Sequence, residues 1–238
     1  MEELSKMILP ALVIGLGATL QASVGYGYGL IAVPLLILIN PEFVPAPFIF
    51  VSLILMLTVS LRNRSALKGK TFNWVFFGLV LGTPLGVFLL KYFKDINYSV
   101  VAALIIIFGL SLSLLKFRVS IKPVSQGVAG FMAAVMGTVC GVGGAPIALL
   151  YQNEKGREIR AALSLIFFVA SSLSFIGVLF GGLFQLKELM LSLYLLPGIF
   201  VGHWLGPYLA KYTDQGRSRP IIITLSLVSA IVILFKSA

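Results

Sequence analysis

The sequence predicts an all-α integral membrane protein built from two inverted structural repeats. Each repeat is a Gly-broken re-entrant or half-helix pair plus three full transmembrane helices. Three observations lead there. The 238 residues are 59% hydrophobic and only 11% charged, where a soluble domain carries about 25% charged residues, and the mean hydropathy is +1.05. The 18 basic and 8 acidic side chains gather in short clusters between almost charge-free runs, and runs of about 20 apolar residues read as membrane spans. Glycine-rich motifs recur at one offset in the two halves.

The apolar segments are 7–24, 28–39, 43–61, 72–90 and 98–115, then 125–140, 144–152, 161–180, 188–210 and 220–235. The first, in MEELSKMILPALVIGLG, is preceded by acidic residues, carries a proline and shows no small-residue cleavage site. It reads as a membrane segment and not as a cleaved signal peptide. No stretch is low-complexity or long enough for a soluble domain, so residues 1–238 form a single membrane domain, with repeats at 7–115 and 123–236.

Each half repeats one grammar: a segment ending in a Gly-rich break, a short apolar piece, then three long segments. A shift of 116 positions (141 − 25) puts Gly25 on Gly141, Gly27 on Gly143, Ile31 on Ile147 and Ala32 on Ala148. The same shift puts Gly82 on Gly198 and Gly86 on Gly202. Glycines recurring at one offset in two distant places argue for duplication.

Loop charge sets the topology. Basic residues cluster at 62–70, 116–122, 155–160 and 211–219, thirteen of the eighteen. An excess of Lys and Arg marks cytoplasmic loops. All four clusters share that side only if each Gly-broken pair enters and leaves on one face. The short pieces 28–39 and 144–152 are also too short to span at about 1.5 Å per residue. The repeats are then inverted, the arrangement of secondary transporters with broken helices meeting near the midplane, and both termini lie outside the cell membrane. The net charge of +10 is absorbed by this bias, so no nucleic-acid partner is expected.

The breaks are the candidate site. Backbone groups freed by a helix break survive in a membrane only when buried in protein or lining a wet cavity. Glycine accepts positive φ, and a short helix beginning at the break aims free N–H groups at it. That makes an anion site without a cationic side chain, with the two breaks facing each other. The candidate substrate-binding residues are Gln21, Ser23, Gly25, Tyr26, Gly27 and Gly29 in the first break, and Thr138, Cys140, Gly141, Gly143 and Gly144 in the second. Gly78/Gly82/Gly86 and Gly198/Gly202/Gly206, spaced GxxxGxxxG, read instead as close helix packing. The stretch SVGYG (23–27) comes near a potassium-filter motif, but a filter needs four equivalent loops around an axis, and the second copy, TVCGVGG, lacks the tyrosine.

GYGYGLIAVP, GVGGAPIALL and LRNRSALKGKTFNWVFFGLVLGTPLG (61–86) together resemble the TauE/SafE family of sulfite and organosulfur-anion transporters, whose broken-helix repeats have the shape GxGGGxxxxP. The likeness covers nearly the whole chain. Tyr28 and Ala145 stand where that pattern has glycine, and the second proline is displaced to Pro146. The resemblance implies a carrier of small sulfur-containing oxyanions (sulfite, thiosulfate or organosulfonates).

No Asp, Glu, Lys or Arg lies deep in an apolar segment, so a carboxylate proton relay is not expected. Nor are a metal, a cofactor or enzyme chemistry, since ligand clusters and acid/base pairs are missing from the sequence. Cys140, the single cysteine, reads as a small packing residue. His203, mid-segment in GIFVGHWLG, is the one intramembrane group that titrates near neutrality, with a structural hydrogen bond or a proton or substrate role both open. The expected activity is transport in the export direction, which an inside-negative potential favours for an anion; the rival readings are an anion or cation channel and, behind it, a membrane enzyme. The expected partners are a small sulfur anion and the lipid bilayer, with a homo-oligomer left open.

Overall fold

The computed structural model describes residues 2–67, 72–93, 97–114, 119–152, 157–213 and 218–237. These form ten α-helices: α1 (Glu2–Val24), α2 (Tyr28–Ile39), α3 (Ala46–Asn63), α4 (Asn73–Phe93), α5 (Tyr98–Leu114), α6 (Pro123–Cys140), α7 (Gly144–Leu150), α8 (Arg157–Phe180), α9 (Leu186–Thr213) and α10 (Ser218–Ser237). A 3-10 turn at Pro41–Phe43 leads into α3. No strand occurs among the described residues.

Helix ends follow local chemistry. Pro123 opens α6, where a missing N–H costs nothing, and the Ser125 hydroxyl accepts from Lys122 N at 2.9 Å. α8 stops at Gly181–Gly182, where Gly182 takes φ +70° and Leu183 N donates to Val178 O at 3.0 Å. Within the helices, hydroxyls donate back to the carbonyl four residues earlier, as Thr19 does to Gly15, Thr83 to Leu79 and Ser164 to Arg160. This keeps polar side chains satisfied in apolar surroundings.

Five helices among the described residues are long and apolar enough to cross a membrane, over 46–66, 73–93, 123–140, 158–180 and 186–209. The expectation of three full crossings per half, by 43–61, 72–90 and 98–115 and by their mates, differs in two ways. α5 has 17 described residues, one fewer than the shortest of the five crossing helices. α6, expected as half of a broken pair, has 18 residues and is long enough to cross. The outer faces of α4 and α9 expose Phe77, Leu81 and Phe88, and Phe200, Trp204 and Tyr208, an apolar surface that suits lipid.

Two tight helix pairs frame the fold. α4 packs on α6: a Cβ at Gly78 would overlap the Gly127 carbonyl, one at Gly82 the Phe131 carbonyl, and one at Gly86 would meet Thr138 Cβ at 2.8 Å. α9 packs on α1 in the same way, with Gly198 on the Ala11 carbonyl, Gly202 on Ala18 and Gly206 on Ala22. The GxxxGxxxG glycines are therefore packing residues, removing the bulk that would keep the backbones apart. α3 crosses α8 between these pairs. Arg62, at the end of α3, ties three helices together: its Nη1 donates to His203 O at 2.9 Å and its Nη2 to Ala22 O at 3.5 Å. Of the basic clusters, Lys68, Lys70, Lys116, Arg118, Lys155 and Arg217 lie outside the described residues.

Candidate functional site

α1 stops at Val24 and α2 starts at Tyr28. Between them Gly25 takes φ +96° and Gly27 φ +102°, values cheap only for glycine. Gln21 Nε2 donates to Gly25 O at 2.7 Å and fastens the turn. At the second break Gly141 takes φ +78°, and its N–H donates to Gly137 O at 2.8 Å. Gly143 departs from the expectation of positive φ: its φ is −80°, in the right-handed helical region. Glycine is needed there for space, because a Cβ would overlap the Ala133 carbonyl of α6.

The two breaks touch. Gly29, in the first turn of α2, lies so close to the Gly141 carbonyl that a Cβ would overlap it. Beside this contact is a cavity of about 70 Å3. Gln21, Gly27, Tyr28 and Gly29 line it from the first break, and Gly137, Gly141, Gly143 and Gly144 from the second. α3 contributes Phe48, Ser52 and Met56, and α8 contributes Phe167, Ala170, Ser171 and Ser174. None of these side chains is charged. A site of this kind can hold a ligand only through backbone N–H groups, hydroxyls and shape.

A family model described as sulfite exporter TauE/SafE matches residues 10–233. This chain belongs to the TauE/SafE sulfite exporter family. The matched region takes in both breaks and every residue lining the cavity. No curated protein and no solved structure matches the chain.

Six candidate residues of this TauE/SafE protein line the cavity: Gln21, Gly27, Gly29, Gly141, Gly143 and Gly144. The others stand apart. Thr138 is one step behind, its hydroxyl bonded to that of Ser174 at 2.8 Å. Ser23 is buried and donates to Leu20 O at 3.0 Å. Cys140 is buried with its thiol on Met136 O at 3.3 Å, in keeping with a packing role. Gly25 packs on Arg160 and Leu163. Tyr26 lines a separate cavity of about 110 Å3 with Ser113, Tyr151 and Gln152. His203 is on α9, away from the central cavity. Its backbone carbonyl accepts from Arg62, while its ring Nδ1 is buried without a partner, so the expected structural hydrogen bond is not made by that atom.

Sequence reasoning missed Tyr28, Phe48, Ser52, Phe167, Ser171 and Ser174. A signal for most of them exists. Phe48 and Ser52 recur as Phe167 and Ser171 at an offset of 119 (167 − 48), three more than between the breaks. Each serine donates to the carbonyl of its phenylalanine, at 2.6 Å and 2.8 Å, and all four residues line the cavity in this TauE/SafE protein.

Proposed function

We propose that this TauE/SafE protein is a single transport domain, residues 1–238, that exports small sulfur-containing oxyanions across the cell membrane and holds the anion in the cavity between its two glycine breaks. One observation carries the reading. Matching residues of the two halves converge on one uncharged cavity: Gln21 with Gly137, Gly27 with Gly143 and Tyr28 with Gly144 at the offset of 116, and Phe48 with Phe167 and Ser52 with Ser171 at 119. A cavity of about 70 Å3, several times the roughly 10–15 Å3 that admits one water molecule, has room for a small oxyanion.

The direction of packing supports inverted repeats at 7–115 and 123–236. Along α4 and α6 the contacts advance together, from Gly78 on Gly127 to Gly86 on Thr138, so these helices are parallel. α1 and α9 are parallel by the same criterion, from Gly198 on Ala11 to Gly206 on Ala22. Arg62 holds the end of α3 level with Ala22 and His203, toward the ends of α1 and α9. The chain leaves α3 there and begins α4 on that side. α4 thus opposes α9, and α6 opposes α1. On this reading each broken pair returns to its own face and both termini are outside.

Export suits a cavity without a coupling carboxylate. An inside-negative potential favours outward movement of an anion by about 2.3 kcal/mol per charge per 100 mV. The test is flux from liposomes loaded with sulfite, thiosulfate, sulfate or ethanesulfonate, with and without an imposed potential. Saturable release of sulfite or thiosulfate, faster at inside-negative potential, is expected. Single-channel conductance without saturation would make the protein a channel, and no flux of any sulfur anion would overturn the reading.

A further inference from the structure

We propose that the Tyr28 hydroxyl is the side-chain donor that binds the anion in the central cavity, and that the Tyr28 ring limits the cavity to compact oxyanions, excluding sulfonates with a carbon tail. The inference rests on the transport reading above and adds to it a residue and a size limit.

The hydroxyls around the cavity are not equally available. Ser52 donates to Phe48 O at 2.6 Å and Ser171 to Phe167 O at 2.8 Å, so both protons are committed. Ser174 is engaged with Thr138 at 2.8 Å. Tyr28 is different. It is only 3% exposed and its hydroxyl makes no hydrogen bond of good geometry; the Ser52 hydroxyl beside it, already donating to Phe48 O, is an alternative acceptor that a charged ligand would outcompete. A buried polar group without a partner costs free energy comparable to a lost hydrogen bond. The cost disappears if the hydroxyl donates to a ligand in the cavity it lines. An oxyanion is the fitting acceptor, because hydrogen bonds to charged groups are the stronger ones.

Position supports the same assignment. Tyr28 is the first residue of α2, whose N-cap, Gly27, provides no side-chain cap. The N–H groups of Tyr28, Gly29 and Leu30 precede the first intrahelical bond, from Ile31 N to Gly27 O at 3.2 Å, and have no acceptor within the helix. The phenol and this helix start belong to one end of one twelve-residue helix.

Size follows from the asymmetry of the repeats. The residue matching Tyr28 in the second half is Gly144, which also lines the cavity. One side is thus filled by a phenol where the other has no side chain. The ring is held rigidly, stacked on Phe48 with centroids 4.7 Å apart and pressed on Gly17, where a Cβ would be 2.9 Å from Tyr28 Cδ2.

The test is equilibrium binding and liposome flux of sulfite and of ethanesulfonate by the full chain and three variants. Tyr28→Phe keeps the ring and removes only the hydroxyl; sulfite affinity should fall about tenfold, as for loss of a hydrogen bond to a charged group. Tyr28→Ala keeps the helix start and removes the ring; it should gain ethanesulfonate flux that the parent lacks. Gly144→Val fills the same cavity from the other break and should weaken sulfite binding at least about tenfold. If Gly144→Val weakens sulfite binding while Tyr28→Phe binds like the parent, the transport reading stands and the Tyr28 assignment is overturned. If the parent already carries ethanesulfonate as well as sulfite, the size limit is overturned. If the parent binds no sulfur oxyanion, both proposals fall. Tyr28→Phe is nearly isosteric, so the donor assignment is decided even if Tyr28→Ala does not fold.

Discussion

A methyl group added at Gly29 would overlap the carbonyl oxygen of Gly141. One residue belongs to the first turn of α2 and the other to the end of α6, so the two glycine breaks meet backbone to backbone. Gly29→Ala must push them apart, and overpacking of this kind costs about 1–3 kcal/mol. The purified variant should melt lower than the parent and lose sulfite flux. Gly127→Ala is the control, because its Cβ would meet only Trp74 O, at 3.8 Å. Equal melting temperatures for the two variants would mean the breaks are not in fixed contact.

Arg62 joins α3 to α1 and α9 through two backbone carbonyls. Arg62→Ala should destabilise by about 1–3 kcal/mol, because Pro207, four residues after His203, has no N–H to offer the His203 carbonyl, and removing Arg62 leaves that acceptor without its donor. In the folded variant sulfite affinity should be unchanged, because Arg62 is not at the cavity. Thermal melting and binding measured on one preparation separate the two effects.

His203 lies outside the cavity, with its carbonyl held by Arg62. His203→Gln should therefore leave the pH profile of transport unchanged. A flattened profile, from protein that still folds, would assign the ring to proton handling.

The inverted topology is checked by labelling. Single cysteines at Ser65, Ser120, Gly156 and Ser218, in a Cys140→Ala background, should react with an impermeant reagent only from the cytoplasm. A cysteine at exposed Gln185 should react only from outside. Reaction of the Ser65 and Gly156 positions from opposite faces would exclude inverted repeats.

Much of this was legible in the sequence. Apolar run length located the helices, and the piece 28–39 coincides with α2, because a membrane leaves the backbone few alternatives to a helix. Positive φ was foreseeable at Gly25, Gly27 and Gly141 and wrong at Gly143, where neighbouring backbone, not local conformation, demands glycine. Tyr28 was passed over as a departure from a glycine pattern, although it lines the cavity. Phe48, Ser52, Phe167 and Ser171 reach the site only because α3 crosses α8. That crossing is a tertiary fact, and its trace in the sequence was displaced by three residues from the offset of the breaks.

The account's central claim is that the anion occupies the cavity between the breaks, and Gly144→Val tests it most directly. A Cβ at Gly144 meets only Phe167 Cζ, at 3.7 Å, an ordinary contact, so the helix should tolerate the new side chain while its methyls occupy the cavity. The measurement is sulfite affinity by calorimetry on monodisperse protein, beside its melting temperature. The account predicts a melting temperature close to the parent's and affinity weakened at least about tenfold, the equivalent of 1.4 kcal/mol. A Gly144→Val protein that melts and binds sulfite like the parent would contradict it and move the site elsewhere.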